Sequence, residues 1–132
     1  MGFEELPHKA DCALRVWADD LPTLFAEAGL GLNLISGARI GDGLRTTRDI
    51  RIHAADAEEL IVGFLTELTF FQERDHLGFD SFDLQVSEHD LSGLLKGAVL
   101  ASVSRPIKAV TFHGLKMRRT SRGHEVDIVF DV

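Results

Sequence analysis

Two carboxylates stand out by their positions. Asp11 closes a short polar turn, His8-Lys9-Ala10-Asp11, between two expected strands, and Asp131 directly follows the apolar run Val126-Asp127-Ile128-Val129-Phe130. The sequence then reaches Val132, so a terminal carboxylate belongs to the same strand end. If the strands that carry them are neighbours, the carboxylates of Asp11, Asp131 and the terminus converge. Two like charges ~4 Å apart repel by about 4 kcal/mol at an effective dielectric of 20. Such a group either takes up protons at raised pKa or holds a cation. Hard oxygen ligands favour calcium, magnesium or manganese over zinc. The competing reading keeps Asp11 and Asp131 apart as solvated turn residues, since turns are the ordinary home of Asp.

The other reactive side chains give weaker signals. His8, three residues before Asp11, is either a further ligand or proton carrier, or a turn residue bonded to backbone. His113 alternates with Phe112 on an expected strand and either is buried and satisfied or lines a partner surface. His53, His76, His89 and His124 have no metal-ligand spacing and read as surface residues. Cys12 adjoins Asp11; a neighbouring carboxylate raises a thiol's pKa, so a small buried hydrophobe is expected there rather than a nucleophile. The chain has no Gly-x-Ser-x-Gly, no P-loop and no G-x-G-x-x-G. Arg105, Lys108, Lys116, Arg118, Arg119 and Arg122 gather late in the sequence, the last four on or beside one hairpin. That hairpin is either an electropositive patch or a sheet edge guarded by charge.

The elements that must position these groups follow from periodicity. Strands are expected at Phe3 to Leu6, stopped by Pro7, and at Ala13 to Ala18. Asp20 caps a helix whose apolar stripe, Leu21, Leu24, Phe25, Ala28, Leu32 and Ile35, runs to Ser36-Gly37. Gly29 and Gly31 weaken that helix by about 1 kcal/mol each against alanine, which points to close approach to a sheet. Thr46 to His53 reads as a strand. Asp56 and Glu59 form a capping box for a second helix, whose face is Leu60, Ile61, Phe64, Leu65, Leu68 and Phe71 and which ends before Gln72. From Phe79 the period becomes two, with further strands at Leu94 to Val103, Lys108 to Met117 and Glu125 to Phe130, and a hairpin turn at Gly123. The expected fold is α+β: two amphipathic helices on a mostly antiparallel or mixed sheet, in a single domain over residues 1–132.

Composition sets the outer bounds. The chain has 132 residues, and 14 Lys+Arg against 21 Asp+Glu give a net charge of −7. That length buries roughly two-thirds of the unfolded surface, enough for a core without metal or disulfide staples. The acidic balance opposes binding driven by the nucleic-acid backbone. One cysteine precludes an intrachain disulfide and any multi-cysteine zinc site, and suits a reducing cytoplasm. No apolar run reaches the ~20 residues of a membrane span.

Several segments taken together resemble the archease family. They are the turn His8-Lys9-Ala10-Asp11, the helix segment Leu24-Phe25-Ala26-Glu27-Ala28, Leu65-Thr66-Glu67-Leu68, the run Ile107-Lys108-Ala109-Val110-Thr111-Phe112-His113-Gly114-Leu115, and the ending Phe130-Asp131-Val132. The resemblance covers essentially the whole chain in order. It implies a non-catalytic protein cofactor of the GTP-dependent RNA ligase that joins 2′,3′-cyclic-phosphate or 3′-phosphate ends to 5′-hydroxyl ends. In tRNA splicing and RNA repair, such a cofactor promotes ligase guanylylation and restores spent ligase. It also implies a metal site, often with calcium, at Asp11, Asp131 and the main-chain oxygen of Val132. RNA would then be met only indirectly or weakly. Lys9 stands where the family has Thr, Phe112 where it has Tyr, and Ala98-Val99 where a Gly-Glu is common. His8, Lys108 and His113 carry over only as contacts near the site or to the partner. Two rival readings are a metal-dependent phosphoester hydrolase using Asp11, Asp131 and His8, and a direct RNA-binding or chaperone-like module on the Arg118-Arg119-Arg122 hairpin.

Overall fold

The computed structural model describes residues 1–7, 11–112 and 114–132. His8, Lys9, Ala10 and His113, all named above, lie outside the described residues. In order, the elements are β1 (Gly2–Leu6), β2 (Cys12–Ala18), α1 (Leu21–Ser36), β3 (Ala38–Ile40), β4 (Thr46–His53), α2 (Ala57–Asp75), β5 (Leu77–Val86), β6 (Asp90–Val103), β7 (Ala109–Thr111), β8 (Arg118–Thr120) and β9 (Gly123–Asp131). The fold is α+β, with every strand pairing antiparallel. No helix among the described residues is long and apolar enough to cross a membrane.

Both helix starts follow from their caps. The Thr23 N–H donates to Asp20 Oδ1 at 2.8 Å, and the Glu59 N–H donates to Asp56 Oδ1 at 2.8 Å, each satisfying a backbone donor that the helix itself leaves free. The Glu59 carboxylate reaches back to the Ala55 N–H at 3.2 Å, one residue before the cap.

Two sheets share the helix pair instead of the one expected. The first has strand order β1-β2-β9-β7, with β8 also on β9; in the second, β6 pairs with β3, β4 and β5. The two glycines of α1 show how closely it is held. A Cβ on Gly31 would run into the Leu14 side chain of β2, and one on Gly29 would lie 2.6 Å from the Phe82 ring of β5. One buried cluster joins the layers, including Leu14, Phe25, Phe64, Leu95, Ile128 and Phe130.

The larger departures from the sequence-based expectation each have a physical reason. The expected strand Lys108 to Met117 splits into β7 and β8. The chain turns away after Phe112, where the Leu115 N–H donates to Phe112 O at 3.1 Å and Gly114 adopts φ 68°. The Met117 N–H is taken by Glu58 of α2 at 3.0 Å, while Leu115 and Met117 pack on the core. Helix α2 continues through the polar run to Asp75, because Gln72 is itself buried and its Nε2 reaches Ser36 Oγ of α1 at 3.4 Å. Strand β3 has only three residues and too little alternation to be visible in sequence.

Candidate functional site

The β2–β9 ladder brings the two singled-out carboxylates to one end of the molecule. Its register runs from Ala18 opposite His124 to Cys12 opposite Phe130. Asp11 precedes that last pair on one strand and Asp131 follows it on the other. Adjacent strands lie roughly 5 Å apart, so both residues sit at the same end of neighbouring strands. Parity also agrees. Cys12, Leu14 and Val16 face the core with Val126, Ile128 and Phe130, which leaves Asp131 on the outer face. Asp11 is partly buried and Asp131 exposed.

Neighbours hold this end in place. Asp131 pairs with Ala109 of β7, and its main-chain oxygen accepts the Lys108 N–H at 2.7 Å. The Val132 side chain packs against the core, which anchors the main chain beyond Asp131. Thr111, opposite Val129 on the outer face, carries a buried Oγ1 without a partner among the described residues. Cys12 is buried and free, as its sequence context predicts.

No group of three or more His, Cys, Asp and Glu side chains among the described residues is arranged to hold a metal. What this end offers is two carboxylates and the main-chain oxygen of Val132. That all-oxygen set has the chemistry of a calcium, magnesium or manganese site rather than a zinc or copper site. Lys108 lies beside it through backbone hydrogen bonding, a link that the sequence alone did not reveal.

The hairpin arginines sit elsewhere on the same sheet, where Arg118 and Arg122, together with Arg15 of β2, are already paired. Arg15 grips Asp127 with two bonds, 2.8 Å from Nε to Oδ1 and 3.0 Å from Nη2 to Oδ2. Arg118 bridges Glu125 and, at 3.1 Å, Asp127. Arg122 donates to Glu125 Oε1 from Nε at 3.1 Å, while its guanidinium lies 3.8 Å above the Trp17 ring. The Arg15 hydrogen bond lowers the pKa of Asp127 against the opposing effect of burial, and Arg118 adds to it. Burial alone would raise the pKa of Glu125, but the bonds from Arg118 and Arg122 outweigh it and the net shift is downward. Arg119 contacts His124 at 3.1 Å. The remaining histidines described lie elsewhere: His53 bonds Asp90 at 2.9 Å, His89 contacts Ala54 O at 3.2 Å, and His76 caps the C-terminus of α2.

Residues 3–132 match the Archease protein family (MTH1598/TM1083). "Protein archease" of Methanopyrus kandleri is 29% identical, with 100% of each chain covered. "Protein archease" of Methanosarcina mazei is 28% identical over 98% of this chain and 95% of the relative. Among solved structures, Methanobacterium thermoautotrophicum Protein 1598 aligns with a TM-score of 0.71 at 19% identity, covering 99% of both chains. An archease of Thermotoga maritima, described as a possible chaperone, aligns with a TM-score of 0.69 at 17% identity over 98% of this chain and 96% of that one. A match that spans nearly every residue, on the same two-helix antiparallel fold, makes this chain a member of the archease family.

Proposed function

We propose that this chain is a non-catalytic, metal-binding protein cofactor of the GTP-dependent RNA ligase that joins 2′,3′-cyclic-phosphate or 3′-phosphate ends to 5′-hydroxyl ends. In this reading it promotes guanylylation of the ligase and lets it turn over repeatedly in tRNA splicing or RNA repair. Family membership supports the reading, and one structural observation carries it: the register that puts Asp11 and Asp131 at the same end of β2 and β9.

Asp11, Asp131 and the main-chain oxygen of Val132 would hold the divalent cation, with calcium favoured. When bound, the cation supplies positive charge that offsets phosphate charge during nucleotidyl transfer. The chain's own residues do the positioning. Val132 is anchored by its partly buried side chain, and the Lys108 N–H fixes Asp131 O. The Cys12–Phe130 pair sets the spacing of the two strands beneath the carboxylates.

The rival readings have less support. Direct RNA binding requires arginines free to meet phosphates, whereas Arg15, Arg118 and Arg122 are committed to Glu125 and Asp127. A hydrolase requires a general base and commonly a second metal's ligands. Among the described residues, no group of three or more His, Cys, Asp and Glu side chains gathers to supply them.

The test is ligase guanylylation measured with the wild-type chain and with the Asp11→Ala and Asp131→Ala variants. Both variants should fold normally and lose most of the stimulation. Undiminished stimulation by both would remove the carboxylate end from the mechanism.

A further inference from the structure

Strand β4 forms an open edge of the second sheet. It bonds β6 on one side, and no described strand lies on its other side. The opposite edge, on β5, is partly closed by α1, where Asn33 Nδ2 donates to Phe79 O at 2.8 Å. An uncovered edge displays backbone donors and acceptors and invites another strand.

Ladder alternation fixes which groups β4 displays. The Ala54 N–H donates to His89 O at 2.9 Å, one step beyond the His53–Asp90 pair. Hydrogen-bonded pairs alternate along an antiparallel ladder, so Ile52, Ile50, Arg48 and Thr46 spend their backbone groups on β6. The far side of β6 agrees. There the Ser87 N–H donates to Asp90 O at 2.9 Å, which gives Ser92, Leu94 and Lys96 to β5 and leaves Leu91, Gly93 and Leu95 to β4. The N–H and C=O groups of Thr47, Asp49, Arg51 and His53 therefore point to the free edge.

The same four residues are exposed, on the face of β4 opposite the buried Ile50. Asp49 and Arg51 make no ion pair with any described residue. Among two-fold registers of this edge with itself, one centred on Asp49 opposes two carboxylates, and one centred on Arg51 opposes two guanidinium groups. The register centred on Ile50 alone uses all four outward-facing residues of each strand, and like charges never meet in it.

We propose that β4 pairs antiparallel with β4 of a second copy of this chain, each Asp49 lying opposite the partner's Arg51. Thr47 then lies opposite the partner's His53, and Ile50 meets its own copy on the two-fold axis. Opposite charges directly across an antiparallel pair stabilise it, and the closed symmetry stops growth at two copies. One existing bond is exchanged: Arg48 Nη1 leaves Thr47 O, now 3.1 Å away, and the partner's His53 N–H replaces it. The β2–β9 sheet takes no part, so the carboxylate end stays open in both copies and the inference is independent of the ligase-cofactor reading.

Sedimentation equilibrium of the full chain, from low micromolar to near-millimolar concentration, tests the pairing. The wild type should show a monomer–dimer equilibrium that weakens as salt rises. Asp49→Arg and Arg51→Asp each set like charges opposite one another twice, and each should weaken self-association about tenfold or more. An equal mixture of the two variants should recover a dimer of near wild-type strength, because every facing pair again has opposite signs. Thr47→Pro removes an N–H that β6 does not use and should abolish association with no change of charge. If Thr47→Pro fails to fold, the two charge variants, on exposed side chains, decide. A wild type that stays monomeric throughout overturns the pairing and leaves the charges as guards of the edge. Wild-type association in both charge variants, or loss in both without recovery in the mixture, overturns it equally.

Discussion

Cys12 stands opposite Phe130 on the last rung of the β2–β9 ladder, with both side chains buried. That pair does for the site what no motif in the sequence could do: it aligns two residues 120 positions apart (131 − 11) at one sheet end. Ladder register is a discrete property. A slip of one residue would move Asp131 to the core face, so the buried Cys12, Leu14, Ile128 and Phe130 protect the register of the carboxylates.

The first prediction concerns the cation itself. On the proposed reading, calcium added at about a hundred times its dissociation constant should stabilise the chain by about 2.7 kcal/mol, as expected for an ion that binds only the folded state. Calorimetric scans with and without calcium measure this as a rise in Tm. Asp11→Asn and Asp131→Asn should each abolish the rise while leaving the calcium-free Tm close to wild type. A calcium-dependent shift that survives in both variants would place the ion elsewhere.

Acid stability provides a second test, set by Glu125 and Asp127. Their ordinary pKa values are 4.5 and 3.8, and folding lowers both through the surrounding guanidinium groups. The folded state thus binds fewer protons than the unfolded state in this window. The corresponding stability is fully present above about pH 5 and disappears as pH falls through the lowered folded-state values. Urea midpoints between pH 7 and pH 2 should be flat at first and then decline. Glu125→Gln should lower the plateau and make the decline shallower, since one of the two groups no longer titrates. An unchanged acid slope in Glu125→Gln would assign the acid sensitivity to other carboxylates.

RNA affinity follows from the same pairing. Releasing Arg118 and Arg122 to phosphates means breaking bonds to the nearly buried Glu125, and the whole chain carries −7. A gel shift with single-stranded RNA should therefore show only weak retention at 50 mM salt and none at 200 mM. The shallow salt slope would correspond to few displaced counterions. Tight binding at 200 mM, lost in Arg118→Ala, would restore the hairpin as an RNA interface.

How much of this was legible in sequence depends on whether the signal is local. The caps at Asp20 and Asp56 were readable because each acts within three residues. Strand β4 matched its expected bounds because Thr46–His53 is bracketed by turn residues. The split of Lys108–Met117 was invisible: its cause is Glu58, 59 positions earlier, capturing the Met117 N–H. The Arg15–Asp127 pair, 112 positions apart, likewise exists only once β2 lies on β9. For the same reason the basic hairpin read in sequence as either an electropositive patch or a charge-guarded edge, and in the fold Arg118 and Arg122 belong to a satisfied network.

Two glycines within helices should respond to alanine in opposite ways. Helix propensity alone favours alanine by about 1 kcal/mol at either position. At Gly63 of α2 a new Cβ would meet only Ile52 Cγ2 at 3.4 Å, an ordinary contact, so Gly63→Ala should stabilise by up to about 1 kcal/mol. At Gly31 of α1 the same atom would overlap the side chain of Leu14, which is fully buried between α1 and β2. Overpacking there costs roughly 1–3 kcal/mol, more than the propensity gain, so Gly31→Ala should destabilise. Denaturant titrations of the two variants measure the difference directly, and a double variant Gly31→Ala/Leu14→Val, which removes the overlapping atoms, should recover part of the loss. A stabilising Gly31→Ala would mean that α1 stands off β2 farther than the fold described here, and with it the support beneath the Cys12–Phe130 rung.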